Sequence, residues 1–166
     1  MQTTRTAEGT STSISARGNR RDWSWSPALM ETPVHHPDLA PVYEAWDRRR
    51  TGGNLPSIED FGFDDLDPWL GKISVARATG SDFELELLGC SLTNEAGEEI
   101  SRVKLSECKL GPVGPNARDM LETVTGMSIL AFPCGTTEWR GEPIGWHGIA
   151  LPLADGAALI CLFTIH

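Results

Sequence analysis

WRGEPIGWHGIALPLADGAALICLFTIH, residues Trp139–His166, reads as two long strands joined at Ala154-Asp155-Gly156. An Asp-Gly pair between apolar runs is a hairpin signal. On the first strand Ile149, Leu151 and Leu153 share one face. On the second, Leu159, Cys161, Phe163 and Ile165 alternate with Ala158, Ile160 and Leu162, which leaves almost no polar side. A strand apolar on both faces belongs in the middle of a sheet. The sequence ends on that strand, so the C-terminus is expected near the sheet centre with the remaining elements laid against it.

Working outward, Phe83, Leu85 and Leu87 oppose Glu84 and Glu86 in a strand over Phe83–Leu88, and Thr79-Gly80-Ser81-Asp82 joins it to a strand over Ile73–Ala78. The pair is expected as a half-buried edge hairpin. In Asp38–Arg50 the residues Leu39, Val42, Tyr43 and Trp46 fall at i, i+3, i+4 and i+7, one helical stripe. Asp38 suits its N-terminal end and Arg48, Arg49 and Arg50 its C-terminal end, with Gly52 and Gly53 beyond. That stripe packs either on the sheet of its own domain or on the same helix of a second copy. A short helical piece is expected near Asp64–Leu70 and weakly helical pieces over Ser91–Cys108. A firmer helix is expected over Gly114–Gly126 (Ala117, Met120, Leu121, Val124) and a further strand within Met127–Arg140.

A chain of 166 residues, 40% apolar and 22% charged, suits one domain plus a tail. Residues 1–30 are rich in Thr, Ser, Arg and Gly and are expected to be a disordered arm, on which Trp23 and Trp25 are the residues able to dock on the body. The net charge is −9, and the arm holds four Arg against Glu8 and Asp22, so the body carries about −11. An acidic body repels phosphate backbones, which argues against nucleic acid as a partner; the basic cluster Arg17–Arg21 is read as a solvated tail. No apolar run approaches the roughly 20 residues of a membrane span and the N-terminus lacks an apolar signal region, so a soluble cytoplasmic protein is expected. Cys90, Cys108, Cys134 and Cys161 show no C-x-x-C spacing and are read as free, mostly buried thiols.

The order of elements is two strands, a helical middle and three strands closing in a hairpin. Over Leu39–Ile165 the chain resembles a divergent family of bacterial single-domain PAS proteins. The resemblance is carried by Tyr43, Trp46 and Arg49 on the first helix, Leu55-Pro56 with Asp60, and the pair Trp69-Leu70. It continues with Phe83, Leu87 and Gly89, the step Ala96-Gly97, and Leu151-Pro152-Leu153 followed by Asp155-Gly156. It implies an α+β, PAS-like fold: a five-stranded antiparallel sheet, its last strand beside its first, with a helical middle segment and an N-terminal amphipathic helix. It also implies a sensory or regulatory role without naming a ligand. Two positions depart from the family: Glu84 and Glu86 stand near where an Arg is usual, and no Gly is clear around Ser101–Val103.

A PAS pocket lies between sheet and helical middle, so the candidate ligand residues are His147, Phe83, Leu85, Leu87, Ile149, Leu151 and Trp146. His147, in phase with Ile149 and Leu151, is the polar member. The helix Gly114–Gly126 holds no His, which argues against haem, and the Asn-Cys-Arg-Phe motif of flavin photosensors is missing around Cys90 and Cys108. The cofactor is therefore unknown. Cys134 with His147 lacks a visible third group to make a nucleophile–base pair. His35-His36-Pro37-Asp38 has the look of a metal clip but is read as a polar flank of the helix, so no metal is assigned. Leu39, Val42, Tyr43 and Trp46 are the candidate interface of a homodimer or of a protein signalling partner.

The resulting expectation is a non-enzymatic sensor that binds a small ligand or a partner and signals through packing of its N-terminal helix. No output module follows the sheet in this sequence, so the signal is expected to pass through another protein or a dimer. Two alternatives stay open: an adaptor whose core is filled, without a ligand, and a small enzyme using a buried carboxylate on a cone-shaped α+β scaffold.

Overall fold

A computed structural model describes residues 22–69, 72–88, 102–105, 117–139 and 141–165. The arm before Asp22, Leu70, Gly89, Cys90, Ala96-Gly97 and Cys108 lie outside these residues, and so do most of the expected weakly helical pieces.

The fold is α+β and antiparallel throughout. Its strands are β1 (Asp22–Ala28), β2 (Ile73–Thr79), β3 (Asp82–Leu88), β4 (Arg102–Lys104), β5 (Leu130–Trp139), β6 (Glu142–Leu153) and β7 (Ala157–Ile165). They form one sheet in the order β1-β5-β6-β7-β2-β3-β4. Helix α1 is Leu39–Asp47, α2 is the single turn Phe63–Leu66, and α3 is Arg118–Met127. No helix among the described residues is long and apolar enough to cross a membrane.

The C-terminal hairpin forms as its pattern predicts. Asp155 at φ 64° and Gly156 at φ 71° take the left-handed conformations that Asp and Gly tolerate best. β7 lies between β6 and β2, and its two faces are covered by α3 on one side (Ala158, Ile160) and α1 on the other (Leu159, Cys161), which explains why it is apolar on both.

The expected count of five strands is corrected to seven. The first addition is β1, which pairs with β5 from Asp22↔Thr136 to Ala28↔Leu130. The part of the arm from Asp22 onward therefore belongs to the sheet, because alternating Trp23 and Trp25 bury their rings on one face. The second is β4, three residues paired with β3, so that β3 is not the edge it was expected to be. A three-residue strand carries too little alternation to be read locally.

The sheet is the middle layer of three. On one face, Trp23, Trp25, Ala76, Phe83, Leu85, Trp146, Ala150 and Ile160 pack with Met120, Leu121 and Val124 of α3. Arg118, at the start of α3, donates to the carbonyl of Ser81 and pairs with Asp82 at 3.3 Å, tying the helix to the β2–β3 turn. On the other face, Ile73, Val75, Leu130, Ile149, Leu151, Leu159 and Cys161 pack under Leu39, Val42 and Trp46 of α1 and under Phe61. Between the two open possibilities for α1, its stripe packs on its own sheet. Arg49 reaches the loop after α1, bonding the carbonyl of Asp60 at 3.2 Å and pairing with Asp65, while Arg50 pairs with Asp47 at 2.6 Å over the ring of Trp46.

Candidate functional site at the seam between helix and sheet

The site follows from where α1 begins. Leu39 and Ala40 both donate backbone N–H groups to the carbonyl of His36, at 3.0 and 2.8 Å, closing a tight turn ahead of the helix. That turn holds His36 and Asp38 together, and the Asp38 N–H donates to Nδ1 of His36 at 3.1 Å. Asp38 makes no side-chain cap to its helix. Its carboxylate reaches across to the sheet instead.

His147 meets it there. β6 alternates, so His147 lies on the same face as Ile149 and Leu151, the face that α1 covers. His147 Nε2 is 3.1 Å from Asp38 Oδ2, with the two side chains 13% and 48% exposed. The ring of His36 meets His147 edge-on at 4.2 Å between centroids, and Phe163, the register partner of His147 on β7, flanks it at 6.0 Å. A cavity of about 470 Å³ opens beside these groups, lined by His36, Asp38, Lys72, His147, Phe163, Thr164 and Ile165. One ligand atom from each of His36, Asp38 and His147 lies within 4.8 Å of the others.

Chemically, the seam offers two imidazoles, a carboxylate and an ammonium at the mouth of a partly apolar pocket. Burial pushes the nearby Cys161 thiol up to about 12, despite the opposing pull of the Lys72 charge. Cys134, the register partner of His147 on β5, is exposed, and Nε2 of His147 is committed to Asp38 rather than to a thiol.

The candidate ligand residues do not come together. Register explains it: Leu85 pairs with Ala76, Ala76 with Ala158 and Ala158 with Pro152, so these share one face. Leu151 pairs with Leu159, Leu159 with Val75 and Val75 with Glu86, so these share the other. Phe83, Leu85 and Trp146 are packed under α3, whereas His147, Ile149 and Leu151 face α1. Leu87 lies on β3 opposite Ser74. The candidate interface residues Leu39, Val42 and Trp46 are buried in their own domain, and Tyr43, half-buried, donates its hydroxyl to the carbonyl of Met30 at 2.7 Å. Burial, with the Asp47 carboxylate nearby, raises the Tyr43 phenol above its ordinary value.

In the sequence alone, His36 and Asp38 read as a polar flank of the helix. The adjacent His-x-Asp spacing was legible, but its third partner lies 109 positions away from Asp38. Compared with family models, with curated proteins and with solved structures, the chain matches none of them.

Proposed function

We propose that this chain is a PAS-like sensory or regulatory domain, without enzymatic activity, that binds a small ligand at the seam between α1 and the sheet and relays that event through the packing of α1. The observation that carries it is the link from His147 on β6 to Asp38 at the head of α1, set in the wall of a solvent-open cavity. A ligand entering that cavity touches the turn that begins α1 and the sheet at once. It shifts the helix only by preferring one packing, and a group lodged between the two surfaces has the contacts to do so. The PAS-like form is supported by the order β3-β2-β7-β6-β5 within the sheet, with β7 beside β2 and α3 between β3 and β5 in the chain.

The test is native mass spectrometry of protein purified without denaturation, against the same sample denatured, with an absorbance spectrum and hydrogen exchange across Leu39–Asp47. A mass excess lost on denaturation, whose removal changes exchange in α1, supports the sensor. A second function is favoured by one observation: Phe83, Leu85 and Leu151 are buried in filled cores on their two faces. That packing suits a protein-interaction adaptor. A bare mass, a colourless spectrum and exchange in α1 that responds only to a captured partner would replace the sensor with the adaptor.

A further inference from the structure

We propose that His36, Asp38 and His147 form a binding site for a divalent transition metal, of which zinc is the best-matched ion. This deepens the seam proposed above, naming the class of ligand it takes. Three observations converge on it. One donor atom of each residue already lies within 4.8 Å of the other two. In a tetrahedral site with metal–ligand distances of about 2.0–2.2 Å, donors stand about 3.3–3.6 Å apart, so closure asks for side-chain movements of about an ångström. The residues able to make that movement are the exposed ones, His36 and Asp38, on a turn ahead of α1. The third, His147, is held by pairing to Cys134 on β5 and Phe163 on β7 and serves as the fixed anchor.

The donor set selects the metal. Two imidazoles and one carboxylate favour zinc and its neighbours over magnesium and calcium, which take oxygen, and over cuprous copper, which takes thiolate. Three protein ligands leave at least one position open, as in binding or catalytic rather than structural sites. His36, Asp38 and His147 all line the 470 Å³ cavity, which gives a further ligand room. Lys72 lines that cavity too, and its ammonium opposes a bare dication. An anionic oxygen donor in the open position, set between metal and ammonium, answers that repulsion. One interaction must give way: His36 Nδ1 now accepts from the Asp38 N–H, so either that exposed bond yields to the metal or the ring turns to present its other nitrogen. The metal would also replace the proton shared by Asp38 and His147, which converts a hydrogen bond between helix and sheet into a coordinate bridge.

The experiment uses the full chain, stripped with a chelator and titrated with Zn²⁺ by calorimetry and with Co²⁺ by visible absorption. The expected result is one equivalent bound, with the ligand-field absorption of a low-coordinate Co²⁺. His147→Ala, Asp38→Ala and His36→Ala should each weaken binding about tenfold or more. His35→Ala, adjacent and outside the cluster, should leave it unchanged. If His147→Ala fails to fold, His36→Ala and Asp38→Ala on the exposed turn carry the test. No saturable binding, or binding that His36→Ala and Asp38→Ala leave intact, overturns the site. Hydrogen exchange separates this from the sensor: metal that binds through these three residues without altering α1 upholds the site and sinks the relay.

Discussion

The indole N–H of Trp46 donates to the carbonyl of Pro152 across 2.8 Å, joining the last turn of α1 to β6 over 106 positions of sequence. Trp46 is fully buried, so the bond lies in the dry part of the interface, where an unpaired carbonyl is expensive. Trp46→Phe keeps most of the ring but strands the Pro152 oxygen, and is expected to destabilise by about 1–3 kcal/mol. Trp46→Ala adds a cavity and should cost about 3–5 kcal/mol. Denaturant unfolding of the two variants checks both; a Phe variant as stable as the wild type would show that the hydrogen bond contributes nothing net.

Among the described glycines, Gly148 has the least room for a side chain. A Cβ there would stand 2.4 Å from the carbonyl oxygen of Cys161 and 2.5 Å from Cδ2 of Leu162. Backbone cannot yield as a side chain can, so Gly148→Ala is expected to destabilise by about 1–3 kcal/mol. Gly145→Ala, three residues earlier with its nearest neighbour at 3.7 Å, is the matched control and should change stability little. Equal melting temperatures for the two variants would contradict the close approach of β6 and β7.

The link between the end of α1 and the loop beyond it has a pH signature. The Arg49 guanidinium and then the Gly62 N–H hold the Asp65 carboxyl below its ordinary 3.8. A depressed folded-state value means that the stabilisation is present above 3.8 and is lost as pH falls through the lower folded value. Asp65→Asn should therefore differ from wild type at neutral pH and converge with it in strong acid. Parallel stability curves down to the acid limit would remove Asp65 from the list of acid-sensitive contacts.

Cys161 is buried and its thiol is pushed up to about 12, whereas Cys134 is exposed. Thiolate is the reactive form, so an alkylating reagent at neutral pH should label Cys134 in the native protein and reach Cys161 only after unfolding. Peptide mapping by mass spectrometry reads the order. Native labelling of Cys161 at a comparable rate would mean that α1 leaves the sheet readily.

The pair His147–Asp38 is partly solvated, with the carboxylate 48% exposed. Such pairs contribute little, so a double-mutant cycle through His147→Ala and Asp38→Ala should give a coupling of about 1 kcal/mol or less. Its role is then to set where α1 begins rather than to hold it down. A coupling several times larger would make the seam a structural staple instead.

Local pattern determined much of this protein. The apolar alternation on both sides of Asp155-Gly156 specified the hairpin β6–β7, and the stripe Leu39, Val42, Trp46 specified the buried face of α1. Ala117, Met120, Leu121 and Val124 did the same for α3. These features rest on periods of two and 3.6 residues, which any short window contains. Trp23-Ser24-Trp25-Ser26 carried the same kind of signal for β1, masked by the polar arm before it.

Tertiary structure alone decided which faces meet. Phe83, Leu85, Ile149 and Leu151 look alike in sequence, yet strand order and register put the first two under α3 and the last two under α1. The seam was decided in the same way, since Asp38 and His147 are neighbours only because α1 packs on β6 with its first residues beside the middle of that strand. Periodicity says that a residue is on a face; the pairing of strands far apart in the chain says whose face it is.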